Sequence, residues 1–283
     1  MKKRKNNKTK LKPIYRKIAL ILLLLISSIL VIVCIYTLIK WEIDNKKSND
    51  ITNNIDNKTS ITIVEDSSNT EIIDNKNLPK ENDYWDFIKK PLISVDFIDL
   101  IKKNNDTVGW IKMSNSNINY PIVQSNDNDY YLTHAFDKSL NGAGWIFSDY
   151  RNNFVEFDLN TVIYGHGRQR QTMFGTLKNI LLPSWQKNKD NQIIYISTPK
   201  ENTLWQVFSV YTILAETYYI TTSFNGEDEY NNFLNTISKR SLYPYNVPLN
   251  SKDKIITLST CKENDRTSRL VLHAKLIKRE KRK

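Results

Sequence analysis

An uncharged apolar run at residues 18–39 constrains this chain more than any other feature. It is preceded within residues 1–17 by nine Lys or Arg side chains and no acidic one. A helix over such a run rises about 33 Å, enough to cross the roughly 30 Å hydrocarbon core of a bilayer. A cleaved secretory signal would carry a shorter apolar region ending in small residues, whereas here Tyr36-Thr-Leu-Ile-Lys-Trp41 follows. An uncleaved single-pass anchor at residues 18–39 is therefore expected. The basic flank predicts residues 1–17 in the cytoplasm and everything after Trp41 outside the cell membrane.

That flank also accounts for the charge. The formal net charge is +11, but with nine positive side chains before residue 18 only +2 belongs to the remainder. Nucleic acid is therefore not an expected partner. Of the two cysteines, Cys34 lies inside the apolar run and Cys261 far from it. No internal disulfide framework is available, and Cys261 is expected as a free thiol.

Residues 42–80 are dominated by Asn, Asp, Lys, Ser and Thr, with isolated isoleucines and no aromatic residue. Such a composition buries too little apolar surface to offset its ordering entropy and predicts a disordered extracellular stalk. Within it Ile61-Thr-Ile-Val64 reads as a short strand without an obvious partner. The folded domain is expected over residues 82–277, and residues 278–283, Lys278-Arg-Glu-Lys-Arg-Lys283, as a solvated basic tail.

Aromatic residues return at Tyr84-Trp-Asp-Phe87, and in the stretch 95–103 Phe97, Ile98, Leu100 and Ile101 share one helical face. From there the period is that of strands, at 108–113, 118–124, 143–148, 160–164, 192–197, 204–215, 254–261 and 269–277. Eight short strands predict a β-barrel or sandwich. Two helices interrupt them, at 172–182 and at 227–241, the latter with Tyr230, Phe233, Leu234 and Ile237 in register.

The last two strands carry the chemistry. Ile255-Ile-Thr-Leu-Ser-Thr-Cys261 delivers a cysteine at a strand end, a turn covers Lys262 to Ser268, and Arg269-Leu-Val-Leu272 opens the next strand with a guanidinium. A fixed positive charge favours a thiolate and stabilises an oxyanion during acyl transfer. Residue chemistry alone leaves Cys261 open between such a nucleophile and a small buried hydrophobe. Acyl transfer through cysteine also needs a proton carrier, usually histidine. His166, in Thr161-Val-Ile-Tyr-Gly-His-Gly167, sits where an apolar strand runs into a glycine-flanked loop. His134 sits among aromatic residues, and His273 is four residues along the strand from Arg269, about 13 Å away, so both are expected to be structural. One accessible cysteine and scattered histidines do not make a zinc site, and Gly142-Ala-Gly144 is not a dinucleotide fingerprint. No metal or other cofactor is expected.

Taken together, Thr257-Leu-Ser-Thr-Cys261 with Arg269, Tyr164-Gly-His166 upstream and the N-terminal anchor resemble the sortases, cysteine transpeptidases of Gram-positive cell surfaces. The fit is closest to class B, through Asn126-Asp-Asn-Asp-Tyr-Tyr-Leu132, Gly144-Trp-Ile-Phe-Ser-Asp149 with Tyr150-Arg-Asn after it, and the helix before the last two strands. One departure is Gly167, where class B sequences often carry Asn.

The resemblance implies a mainly β fold, an eight-stranded sortase-type β-barrel with N-terminal helices and a transmembrane helix before it. It implies Cys261 as nucleophile, His166 as proton carrier and Arg269 as oxyanion stabiliser, with Arg266 a poorer alternative. Asn128, Leu132, Tyr219, Ile220 and Ser259 are implied as the substrate-binding lining. The implied partners are exported proteins bearing a C-terminal sorting motif, cleaved after Thr through an acyl-thioester, and an acceptor amine from a peptidoglycan cross-bridge or a pilin. A membrane-tethered cysteine protease would use the same residues with water as acceptor, and a non-catalytic binding module would leave Cys261 as packing.

Overall fold

The computed structural model describes residues 13–73, 78–168, 171–262 and 265–282. The chain separates into two compact units, one ending at Asp44 and the other running from Asn45 to Lys283. Helix α1 (Pro13–Asp56) carries the apolar run and is long and apolar enough to cross a membrane. Its side chains through residue 39 are exposed, as in a helix whose solvent is lipid rather than protein. Residues 1–12 of the basic flank lie outside the described residues.

Much of the expected stalk is ordered among the described residues. Helix α1 continues to Asp56, and Asn45, Ser48, Ile51 and Ile55 along it are buried. Their spacing of three, three and four places them on one helical stripe. Ile51 and Ile55 join the main hydrophobic cluster, and Ser48 Oγ accepts from Asn141 Nδ2 at 3.0 Å. Strand β1 (Ile61–Val64) then pairs antiparallel with β3 (Leu92–Val95), while β2 (Thr70–Ile72) pairs with the final strand. Composition misleads here because two isoleucines and two small polar residues at helical spacing suffice, once a preformed surface receives them.

The short helix α2 (Tyr84–Phe87) buries Tyr84 and Phe87. Helix α3 (Ile98–Lys103) is shorter than expected, and its stripe is narrower: Phe97 and Leu100 are buried, whereas Ile98 and Ile101 are exposed. Eight strands follow: β4 (Thr107–Met113), β5 (Asn119–Val123), β6 (Phe147–Ser148), β7 (Asn160–Tyr164), β8 (Ile193–Ser197), β9 (Glu201–Leu214), β10 (Ile255–Lys262) and β11 (Asp265–Lys281). They form one sheet in the order β10-β7-β6-β5-β4-β8-β9-β11, and pairing of β10 with β11 closes it into an eight-stranded barrel. β10 runs parallel to β7 and β5 parallel to β6, the other neighbours being antiparallel.

Buried Trp110, Trp145 and Trp205 fill the barrel, and each indole N–H finds an acceptor, respectively Asn119 Oδ1, the Pro121 carbonyl and Thr203 Oγ1. That satisfaction lets a large amphipathic ring sit inside without an orphaned donor. The helix expected at 172–182 is a 3-10 turn at Gly175–Leu181, and helix α4 (Pro183–Gln186) follows it. Helix α5 (Glu227–Lys239) buries Tyr230, Phe233, Leu234 and Ile237, the four residues in register.

Two boundaries differ from expectation near the C-terminus. β11 begins at Asp265, which pairs with Lys262, so residues 265–268 of the expected turn belong to the strand. The strand also runs on to Lys281, so residues 278–281 are not a solvated tail. Lys278 is fully buried, its ammonium paired with Asp66 and donating to the Ile88 and Lys90 carbonyls at 2.9 and 3.0 Å. Arg279 pairs with Glu201. A basic run reads as a solvated tail only until a neighbouring edge supplies backbone partners and counter-charges.

Packing of α1 residues on the barrel has a measurable consequence. Ile55→Ala should destabilise the purified full-length chain in detergent by about 2–3 kcal/mol, read by denaturant unfolding followed through tryptophan fluorescence. A loss below about 0.5 kcal/mol would match an unpacked segment instead.

Candidate active site

β10 lies between β7 and β11, and that position assembles the site. Ser259 is the register partner of Tyr164 across the parallel pair, and the Gly165 N–H donates to the Ser259 carbonyl at 3.3 Å. Two residues beyond that pair stand Cys261 on one strand and His166 past the end of the other. Because the strands are parallel, both are delivered to the same end of the barrel. On its other edge β10 is antiparallel to β11, and there Cys261 is the register partner of Arg269. A distant segment, the end of β7, is therefore brought by backbone pairing to the β10–β11 pair that carries Cys261 and Arg269. The side chains of Cys261 and Arg266 lie outside the described part of the structure.

A groove of about 400 Å³ opens at this end of the barrel, lined by His166 and Arg269 and, from β10, by Ser259 and Thr260. Asn128 and Leu132, from the loop before the 3-10 turn Tyr130–Leu132 and from the turn itself, form one part of its wall. Tyr219 and Ile220, from the turn Tyr218–Ile220 after β9, form another. The Tyr219 hydroxyl and Ser259 Oγ are 3.1 Å apart, which ties that turn to β10.

The glycines around His166 are needed sterically. A Cβ on Gly165 would lie 2.4 Å from Ile146 Cδ1 and 2.9 Å from Phe174 Cγ, so a side chain there would displace packed core groups. Gly144 has φ of +60°, and a Cβ there would meet the Tyr131 carbonyl at 2.5 Å and His166 Cδ2 at 2.9 Å. The imidazole is thus held between the 131–132 backbone and the turn at Gly144. Its Nε2 is 2.8 Å from the Leu132 carbonyl and must be the donor, which leaves Nδ1 as the ring's basic nitrogen. Burial lowers the imidazole pKa below its ordinary value, and the Arg168 cation adds to this, against the opposing Leu132 hydrogen bond. At neutral pH the ring is an uncharged base.

The other two histidines are elsewhere. His134 stacks on Tyr130, with ring centroids 4.0 Å apart, and donates from Nδ1 to the Tyr130 carbonyl. His273 is fully buried in the barrel wall, with Tyr211 Oη 2.9 Å from Nε2 and Thr257 Oγ1 2.8 Å from Nδ1. Burial lowers its pKa to about 3 and keeps it neutral. Among the described residues no group of three or more His, Cys, Asp or Glu could hold a metal ion.

Sequence reasoning did not single out several residues that share the groove, notably Phe147, Tyr164, Ala215 and Glu216. Tyr164 carried a signal, since it stands in the Tyr-Gly-His stretch. Glu216 carried none: a glutamate after a strand reads as surface, and only the path of the turn after β9 brings it to the groove, where it pairs with Arg240.

A family model for the sortase domain matches residues 111–277, the span from β4 into β11. Sortase B of Listeria monocytogenes is 38% identical over 185 residues, covering 63% of this chain and 73% of that protein. The crystal structure of sortase B from B. anthracis in complex with AAEK1 aligns with a TM-score of 0.59 at 42% identity, over 64% of this chain and 84% of that one. A Staphylococcus aureus sortase B–substrate complex aligns with a TM-score of 0.60 at 37% identity, over 64% and 84% of the two chains. The closed barrel, the three-strand convergence at its mouth and these likenesses lead to one conclusion: the chain belongs to the sortase family of transpeptidases and, within it, to the sortase B group that acts on the cell wall.

Proposed function

We propose that this chain is a membrane-anchored transpeptidase that cuts an exported protein after the threonine of a C-terminal sorting motif and passes it to a cell-surface amine. The observation that carries this reading is the backbone pairing that sets Cys261 beside Arg269 and one strand from His166, next to a groove of about 400 Å³ lined by His166, Thr260 and Arg269. The membrane span at residues 18–39 would hold the enzyme where its substrates emerge and raise their effective concentration.

In the first half-reaction His166 Nδ1 takes the Cys261 proton, and the thiolate attacks the threonine carbonyl carbon. A C–S bond forms, and the negative charge that develops on oxygen is stabilised by the Arg269 guanidinium. Collapse breaks the C–N bond, the leaving amine takes the proton from the imidazolium, and an acyl-thioester remains. In the second half an acceptor amine attacks the thioester, gives its proton to His166, and restores the thiolate as the C–S bond breaks. Asn128, Leu132, Tyr219, Ile220 and Ser259 hold the peptide. A peptidoglycan cross-bridge or a lysine of another subunit supplies the amine.

The depressed His166 pKa fits this sequence, because a ring that starts neutral can accept the thiol proton. Full-length chain in detergent should therefore keep its peptide-cleavage rate as pH falls through 6.5 and lose it only below that value. The His166 ring signal in a ¹⁵N titration should share the midpoint. Loss of activity centred above pH 7 would overturn the depressed His166 pKa.

The reaction itself is tested by incubating the same preparation with an internally quenched peptide library, one threonine fixed and its neighbours randomised, together with triglycine. Mass spectrometry should find the acyl fragment joined to triglycine, and Cys261→Ala should abolish it. Fragment joined only to water would favour the protease reading, and activity surviving in Cys261→Ala would remove the cysteine from the mechanism. The orientation follows from the same model: on intact cells, an added protease should digest the chain beyond Trp41 and spare the basic N-terminus.

A further inference from the structure

Asp149 is fully buried just past β6, and its carboxylate is not committed to the reacting groups. Its Oδ2 accepts from Asn128 Nδ2 at 3.0 Å, from the Tyr164 hydroxyl at 2.8 Å and from Arg151 Nη2 at 2.7 Å. Its Oδ1 accepts from the Arg151 Nε and backbone N–H at 2.8 and 3.0 Å. Asn128 and Tyr164 both line the groove. Arg151 extends the connection, because the Nη2 that meets Asp149 also donates to the Ile220 carbonyl at 3.0 Å. One carboxylate thus reaches three separate stretches of groove wall: the loop at Asn128, the end of β7 two residues before His166, and the turn that carries Tyr219 and Ile220.

The charge of this carboxylate is secured. Burial opposes ionisation, but the Arg151 and Tyr164 donors outweigh it and hold the carboxyl below its usual range. Tyr164 is correspondingly pushed above its ordinary value by burial and by that neighbouring charge, so it stays a donor. The turn at 219–221 is also held from a second side, where Asn160 Nδ2 donates to the Tyr219 and Thr221 carbonyls at 3.3 and 2.9 Å. Removing the Asp149 link would therefore shift Ile220 rather than release the whole turn.

We infer that Asp149, acting with Arg151, is the positioning residue of the groove: it sets the distance between the Asn128, Tyr164 and Ile220 walls and so determines how tightly a sorting peptide is held. Its carboxylate contacts are to Asn128, Arg151 and Tyr164 rather than to the imidazole. This rests on the transpeptidase reading, and it predicts a particular kinetic pattern. Loss of a charge-assisted contact that spaces the walls weakens peptide binding by about tenfold, while the chemistry at Cys261 keeps its rate.

The test uses full-length chain in detergent and the library peptide that the parent cleaves fastest. Asp149→Asn removes the charge that holds the Arg151 fork. Arg151→Lys keeps a cation beside Asp149 but lacks the fork that spans to Ile220. Each should raise KM about tenfold with kcat within about twofold. The rate of Cys261 alkylation by iodoacetamide, read by peptide mapping, should be unchanged. If Asp149→Asn does not accumulate as folded protein, Arg151→Lys decides alone. KM within about twofold of the parent, or kcat and alkylation falling together at constant KM, overturns the inference while leaving the transpeptidase reading intact. A parent chain that cleaves no library member overturns both.

Discussion

The site depends on one strand being hydrogen-bonded on both edges. β10 completes the barrel by running parallel to β7 and antiparallel to β11. A parallel neighbour ends at the same rim, whereas an antiparallel neighbour begins there. The last residues of β7 and β10 and the first part of β11 are therefore compelled to meet, whatever the intervening loops do. A slip of one residue on either edge would turn alternate side chains to the opposite face. Such a slip is opposed along the length of β10, where Ile256 and Leu258 are buried with no exposed area. Core packing thus fixes the register, and the register fixes where a thiol, an imidazole and a guanidinium can be.

Beyond the strand ends the means change from backbone ladders to individual side chains. The imidazole of His166 is placed by a carbonyl from the 131–132 stretch and by glycines on two sides. The groove walls are placed by polar side chains that grip backbone carbonyls, Asn160 on Tyr219 and Thr221, and Arg151 on Ile220. Each of those carbonyls belongs to an irregular turn that has no ladder of its own, so a buried donor must supply what secondary structure does not. A groove built this way keeps a defined width without stiffening the chain throughout, and its selectivity can change by altering a few polar contacts while the barrel stays intact.

The eight barrel strands were legible in the sequence because their alternation is strong; β7 has the bounds that its pattern implies. β6 is shorter than its apolar stretch, since Trp145 and Ile146 are buried without joining the regular ladder. The candidate residues Cys261, His166 and Arg269 were legible through local chemistry, as a strand-end cysteine, a glycine-flanked histidine and an arginine opening a strand. What was not legible depends on receiving surfaces. Ile51 and Ile55 look isolated until a barrel accepts them, and Lys278 looks solvated until Asp66 and two carbonyls surround it. Asp149 was visible only as part of a family-like stretch, because nothing in its neighbours reveals that Asn128 and Tyr164 would fold back onto it.

A division of labour follows from these two modes of placement. Residues proposed for bond making and breaking lie on or next to strand ends of a closed barrel, where backbone geometry is shared with the core. Residues proposed to recognise the peptide lie mostly on loops, held by hydrogen bonds that can be exchanged one at a time. Asp149 stands at the join, buried immediately after a core strand yet bonded to loop and strand-end side chains alike. A buried carboxylate there is costly unless every acceptor site is filled, and filling it obliges the loops to take one arrangement. The desolvation that makes the charge expensive thus favours the loop arrangement that fills its acceptor sites.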